Sequence, residues 1–385
     1  MKKILLVAYY TLPQKNACSD RASYIKSVLS DTFSITTLTV SSFGPSRNEK
    51  NVIRVAAIYK WYLNPKKILY KLKTKIVEYF FDNVDYYWIQ KALKYFKKKN
   101  RFDYDYVYAV YPSISSLKLG FILSKKYKVD LITDFTDSLT LEPLRTQSRQ
   151  QRKKIESFEK AVVESSLQIL SVSRVLTDYL KNKYSLNNIH TVYNGYDPDI
   201  VPTPNRSSDS KVRIAHFGNI GSSRSRDVNC LAIAMAVYFL ENRHSNLEVH
   251  FFGNFPDEEM NTISPSKNSK IIFNNYVNKS DGYKILSRDF DYLLLYGVPG
   301  HRSTVTSKLI EYLGLQIPIV GICRGNEAEQ IVKESGCGEV VGFDAQEIKD
   351  ILVSAESKNI YFNPDYDYIL SFTWNNQLNK IKRIF

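Results

Sequence analysis

The chain reads as an α/β protein built from two doubly wound domains. Three observations predict this. Short apolar runs alternate with helical stretches from one end to the other. Several of the runs are apolar throughout, as strands covered on both faces of a parallel sheet must be. Near mid-chain the segment NGYDPDIVPTPNRSSDS, 194–210, breaks the rhythm with three prolines, and neither a helix nor a central strand propagates through it. At 385 residues the chain is also too long for one small core.

The expected strands of the first domain are Lys3–Tyr9, Ser34–Val40, Val52–Ile58, Tyr104–Val110, Val129–Asp134, Gln168–Val172 and Ile189–Tyr193. Helical stretches lie between them at Pro65–Lys99, Ser113–Lys126, Gln147–Ser166 and Val175–Tyr184. After the interruption the pattern restarts with strands Val212–Phe217, Leu247–Phe252, Lys270–Asn274, Tyr292–Tyr296, Ile317–Ile322 and Gly338–Val341. Its helices are expected at Asp227–Asn242, Ser307–Leu315 and Glu327–Ser335, with a final helical stretch from about Leu370 to the end. The expected organisation is therefore a first domain over 1–195, a linker at 196–210, a second domain over 211–369, and a C-terminal helix over 370–385. Ligands in such sheets bind beyond the carboxyl ends of the strands.

Composition narrows the chemistry. Fifty-three basic residues against 39 acidic ones leave a formal charge of +14, which favours an anionic partner. Cys18, Cys230, Cys323 and Cys337 have no CxxC spacing, which argues against a zinc knuckle or a disulfide framework and fits a reducing compartment. The five histidines form no HxxH pattern, so neither a metal nor another resident cofactor is expected. MKKILLVAYY has a short apolar core and no small-residue cleavage site, so it reads as a buried first strand rather than a signal peptide. No apolar run is long enough to span a membrane.

The most informative stretch is STVTSKLIEYLGLQIPIVGIC, 303–323. Ser303, Thr304 and Thr306 crowd hydroxyls around a helix start, where backbone N–H groups lack intrahelical partners and a phosphate is welcome. Lys308 can place a point charge over that phosphate. Glu311, one turn later on the same side, suits a hydroxyl pair such as a ribose. The alternative is an amphipathic helix with a hydroxyl cap and a surface ion pair. The second domain opens with VRIAHFGNIGSSRSRD, 212–227, a strand–turn–helix unit. In it Gly218, Asn219 and Gly221 let backbone approach a ligand, and Arg224 and Arg226 can add guanidinium donors. Glu327, in GICRGNEAEQI, can contact a donor sugar or simply complement a helix dipole.

Taken together and in order, these segments resemble the donor half of bacterial family 4 glycosyltransferases. KILLVAYYTLP, LITDFTDS, TVYNGYDPD and FTWNNQ resemble that family's opening strand, aspartate-rich turn, interdomain signature and closing Ser/Thr–Trp helix. The resemblance covers nearly the whole chain. It implies the GT-B fold, two Rossmann-like domains facing across a cleft with the last helix returning to the first domain, and a reaction that retains configuration. It implies that Arg224 and Lys308 hold the donor diphosphate and stabilise its leaving charge, and that Glu311 binds ribose. Gly218 and Gly221 shape the donor loop, and Leu309 joins the donor site. The first glutamate of the family's Glu-x7-Glu motif falls at Ser303. Asn16, Asp20 and Arg21 are the acceptor-binding candidates. Asp134 and Asp137 are reaction-centre candidates, with a helix cap and a turn aspartate as their alternative roles.

Residues 59–101 hold twelve basic residues against three acidic ones, interleaved with aromatics. Trp61, Lys66, Lys67, Lys71, Lys73 and Lys75 suit an anionic membrane surface, or else a solvated face over an aromatic core. No nucleic-acid-binding signature accompanies the charge. The expected function is an enzyme at the inner face of the plasma membrane. It moves a sugar from a nucleotide-sugar donor, UDP by preference, to a lipid-linked or glycan acceptor in bacterial capsule or O-antigen assembly. The alternatives are a nucleotide-sugar epimerase of the same fold and a non-catalytic basic scaffold.

Overall fold

A computed structural model describes residues 1–14, 16–41, 50–57, 86–142, 148–200, 210–218, 220 and 228–384. The chain forms two compact units. One comprises Met1–Leu141, Ser148–Val192 and Leu378–Phe385; the other comprises Glu142–Gln147 and Tyr193–Gln377.

The first unit is built on a seven-stranded, all-parallel sheet. Its strands are β1 Lys3–Val7, β2 Ser34–Val40, β3 Val52–Val55, β4 Tyr106–Tyr111, β5 Asp130–Phe135, β6 Ser166–Ser171 and β7 Ile189–Thr191, in the order β3-β2-β1-β4-β5-β6-β7. Ile4, Leu5, Leu6 and Val7 are each no more than 1% exposed, because both faces of the sheet are covered. Helices Ala17–Leu29, Tyr86–Lys99, Ile114–Tyr127, Arg149–Ser165 and Arg174–Tyr184 provide that cover. Helix Tyr86–Lys99 is the described part of the long helical stretch expected from Pro65. Its Trp88, Ala92 and Phe96 are buried while Lys91, Lys94, Lys97, Lys98 and Lys99 are exposed. The membrane candidates Trp61, Lys66, Lys67, Lys71, Lys73 and Lys75 lie outside the described residues.

A buried ion pair sits at the centre of this unit, and it corrects two expectations. Arg21 and Asp134, read as acceptor-site and reaction-centre residues, are 1% and 0% exposed and bind each other. Arg21 Nε and Nη2 each donate to one Asp134 oxygen at 2.8 Å, the fork-to-carboxylate geometry that suits arginine. Tyr108 donates a third bond to Asp134 at 3.1 Å. Burial works against the guanidinium charge, yet the facing carboxylate outweighs it and holds Arg21 above its ordinary value. Burial and the same carboxylate push the Tyr108 phenol well up. Asn16 is likewise occupied. Helix Ala17–Leu29, absent from the expected helices, starts with a capping box in which Asn16 Oδ1 accepts the Ser19 N–H and Ser19 Oγ accepts the Asn16 N–H. Asp20 falls in its first turn, where it complements the helix dipole.

The second unit carries a six-stranded parallel sheet of β8 Val212–Phe217, β9 Leu247–Phe252, β10 Ile271–Asn274, β11 Tyr292–Tyr296, β12 Ile319–Ile322 and β13 Gly338–Val341, ordered β10-β9-β8-β11-β12-β13. Three of its helices went unread in the sequence: Asp257–Ile263, Lys279–Asp289 and Ala345–Glu356. Residues 193–196 belong to this unit because they are anchored there. Tyr196 N–H donates to Phe372 O (3.2 Å), Trp374 N–H to Tyr196 O (2.9 Å), and Tyr193 N–H to Gln377 Oε1 (3.0 Å). A Cβ on Gly195 would lie 2.6 Å from the Trp374 Cα, so only glycine permits this approach.

Asp134→Ala leaves the Arg21 charge buried without its partner. We expect it to cost about 3–5 kcal/mol of stability in chemical denaturation, whereas replacing both residues with apolar ones of similar volume should recover most of that loss.

Candidate functional site

The site residues of the second unit gather at the carboxyl ends of β8, β11 and β12. β8 ends at Gly218, which adopts a φ of +97° and donates its N–H to Phe252 O. The left-handed backbone is one reason for glycine. The other is Lys308: a Cβ at position 218 would lie 2.8 Å from its Cε and 3.1 Å from its Nζ. The missing side chain is therefore the space that the lysine occupies. Lys308 reaches it from the helix Ser307–Leu315, whose first turn is capped by Thr306 Oγ1 accepting the Leu309 N–H.

Beneath the ammonium lies His216, which is 0% exposed. His216 Nδ1 is 2.8 Å from Leu294 O, and Nε2 is 3.3 Å from Lys308 Nζ. A carbonyl only accepts, so Nδ1 carries the proton and Nε2 offers its lone pair to the lysine. The imidazole is thus a neutral support for a cation. Tyr312, on the next turn of the same helix, accepts the Phe217 N–H at 2.9 Å and ties the helix to the end of β8.

Glu311 is on this helix too, but it is engaged. Its Oε1 pairs with Lys279 Nζ at 2.7 Å, with the two side chains 13% and 34% exposed. The carboxylate is on the expected side of the helix, one turn beyond Lys308. It comes with a second ammonium from the start of helix Lys279–Asp289 that the sequence reading missed.

The loop between β11 and this helix is held by two side chains from distant sequence. Asn326 Nδ2 donates to Val298 O at 3.0 Å and to His301 O at 2.8 Å. Glu142 accepts the Arg302 N–H (2.7 Å), the Ser303 N–H (2.9 Å) and the Ser303 hydroxyl (2.7 Å). Ser303, standing where the resemblance places a glutamate, is thus met by the carboxylate of Glu142. No local signal could have shown this, since 161 residues separate the two. Glu327 is 8% exposed, accepts the Tyr193 hydroxyl at 2.6 Å, and donates its N–H to Arg302 O at 2.7 Å. It therefore braces the same loop.

Two further expectations change. Leu309 is 0% exposed and packs in the unit's core, so its side chain supports the helix rather than a ligand. Thr304 is 8% exposed, which leaves little of it at the surface. Asn219, Gly221, Arg224 and Arg226 lie outside the described residues. In the first unit Asp137 follows β5 and is partly exposed, while Asp134 is sealed in the pair with Arg21. Among the described residues no group of three or more His, Cys, Asp or Glu side chains is placed to hold a metal ion, and no helix is long and apolar enough to cross a membrane. None of the four cysteines is in a disulfide; burial pushes the Cys323 thiol up to about 12 and the Cys337 thiol up to about 11.

Gly218→Ala tests the steric argument. It strains the left-handed turn by about 1–2 kcal/mol and drives Lys308 out of its place. We expect a modest fall in stability together with loss of anion binding in the second unit, measured by phosphate-ligand titration beside thermal unfolding.

No protein-family model and no curated protein matches the sequence. Solved structures do match over the full length. Sucrose-phosphate synthase of Thermosynechococcus elongatus aligns with a TM-score of 0.68 at 12% identity, over 100% of this chain and 98% of the other. HepE of Anabaena, solved in complex with UDP and glucose, aligns with a TM-score of 0.66 at 13% identity, over 100% and 99%. The lipopolysaccharide outer core galactosyltransferase WaaB, in its apo form, aligns with a TM-score of 0.63 at 12% identity, over 100% and 99%. These likenesses show the fold: two parallel-sheet domains of the kind found in GT-B glycosyltransferases.

Proposed function

We propose that this chain is a glycosyltransferase of the family 4 type, moving a sugar from a nucleotide-sugar donor with retention of configuration. The observation that carries the reading is the Lys308 ammonium held over the side-chain-free Gly218, with neutral His216 beneath it. This is a cation aimed at backbone, at the carboxyl end of a parallel strand, where ligands of open α/β sheets bind. A donor diphosphate placed there meets the lysine charge and the bare turn together.

Charge builds on the diphosphate as the sugar leaves. A fixed cation stabilises that charge more than the ground state, which is the requirement for catalysis. A charge-assisted bond of this kind contributes about 1.5–3 kcal/mol. Glu311, sharing its charge with Lys279, suits the hydroxyl pair of a ribose. Ser303, on the loop before the helix, is held by Glu142, and Arg224 completes the proposed diphosphate set. HepE, with UDP and glucose bound, supports UDP as the nucleotide.

The acceptor in this reading is lipid-linked or a glycan, in bacterial surface polysaccharide assembly. The likeness to a lipopolysaccharide galactosyltransferase supports that setting. The exposed lysines of helix Tyr86–Lys99, over a buried aromatic face, support docking at an anionic membrane surface from the cytoplasmic side. No resident cofactor enters the proposal.

The test is thermal stabilisation by a panel of UDP-, GDP-, ADP- and CMP-sugars. A donor at a hundred times its dissociation constant should add about 2.7 kcal/mol. We expect one nucleotide to stabilise the wild type, and Lys308→Ala and Glu311→Ala to lose the effect. Equal stabilisation of all three proteins, or none by any donor, would remove the proposal's basis.

A further inference from the structure

The first unit contains a second place where charge is concentrated, beside helix Ala17–Leu29. A cavity of about 370 Å³ lies between helix Ala17–Leu29 and the sheet edge formed by β2 and β3. Leu6, Thr37 and Val52 are register partners on three neighbouring strands, so they form one row across its floor. Arg54, two residues beyond Val52, points to the same face. Lys26 comes from the helix and Lys50 from the approach to β3. Among the described residues that line it, three side chains are cationic and none is a carboxylate. The volume is at the lower end of the range of about 300–1,000 Å³ that small-molecule sites occupy.

A second observation points to a ligand. Thr37 is 5% exposed, and its hydroxyl is buried without a hydrogen-bond partner. Such a group is costly to leave unmade, and a ligand oxygen in the cavity would satisfy it. We infer that this cavity is a binding site for a phosphate ester or diphosphate group, held by Lys26, Lys50 and Arg54 above the Thr37 hydroxyl. Three positive charges suit a group with more than one negative charge. The Arg54 guanidinium, whose Nη2 also donates to Leu12 O at 3.2 Å, and two point-charge ammoniums together match the charge of a phosphate. The apolar floor at Leu6 and Val52 accepts the group that the phosphate carries. That group is a small sugar in a soluble ligand, or the start of a lipid chain in a membrane-borne one.

The experiment titrates the full chain with inorganic pyrophosphate, with glucose 1-phosphate, and with a polyprenyl diphosphate in detergent micelles, using micelles of the free polyprenol as control. In the Lys308→Ala background, which removes the proposed donor-site anion contact, saturable binding should remain, and adding Lys26→Ala or Lys50→Ala should weaken it about tenfold or more. Lys50 is exposed, so its variant keeps the test open if Lys26→Ala fails to fold. Thr37→Val should weaken binding while raising stability, a combination that a purely structural threonine would not show. Binding in the soluble arms identifies a soluble ligand; binding confined to the lipid diphosphate identifies a membrane-borne one. Binding that persists in the pocket variants, binding lost only in Lys308→Ala, or no binding in any arm would each overturn the inference. Because Lys308 is the control, failure here is distinguishable from failure of the donor site.

Discussion

The ammonium of Lys308 occupies the volume that a side chain at position 218 would fill, and the second unit's site is organised around that exclusion. Gly218 ends β8 in a left-handed turn, His216 supports the lysine from inside the sheet, and Tyr312 holds the helix against the end of the strand. All of these contacts join the end of β8 to the helix Ser307–Leu315. The lysine is therefore placed by packing, and a positive charge is already fixed before any anion arrives. Preorganisation of this kind is what makes an electrostatic contact useful in a transition state.

The same economy recurs in the rest of the molecule. Strands buried on both faces can carry few polar groups, so polar chemistry is pushed to the turns. Among the described residues of the first unit, charge that enters the core is met by partners. Arg21, Asp134 and Tyr108 satisfy one another inside the first unit. Glu159, 0% exposed, takes bonds from Thr140, Lys183 and Tyr184. Burial opposes the Lys183 charge, but the bond to Glu159 outweighs it and raises the lysine above its ordinary range. Such networks hold the unit in one arrangement, and removing one member strands the others.

Much of the architecture was legible in the sequence, because unbroken apolar runs such as Val212–Phe217 and Tyr292–Tyr296 admit little other than buried strands. The helices that escaped reading are informative. Ala17–Leu29 has serines, an aspartate and an arginine through its first half, and that arginine is buried only because Asp134 waits in the sheet. Lys279–Asp289 is equally polar, and its periodicity is weak without knowledge of its neighbour. Within the site, Lys308 and Glu311 were visible because they share one helix with a hydroxyl-rich start. His216, Lys279 and Glu142 were not, because their roles depend on contacts across 92, 32 and 161 positions of sequence. Asp134 misled for the same reason: a carboxylate at a strand end looks alike whether it faces solvent or a buried guanidinium.

The measurement that bears most directly on the donor reading is a calorimetric comparison of UDP with uridine, on wild type and on Lys308→Ala. If the lysine over Gly218 holds the diphosphate, the substitution should weaken UDP about tenfold or more and leave uridine unchanged. Equal weakening of both ligands, or UDP binding that does not depend on Lys308, would contradict it.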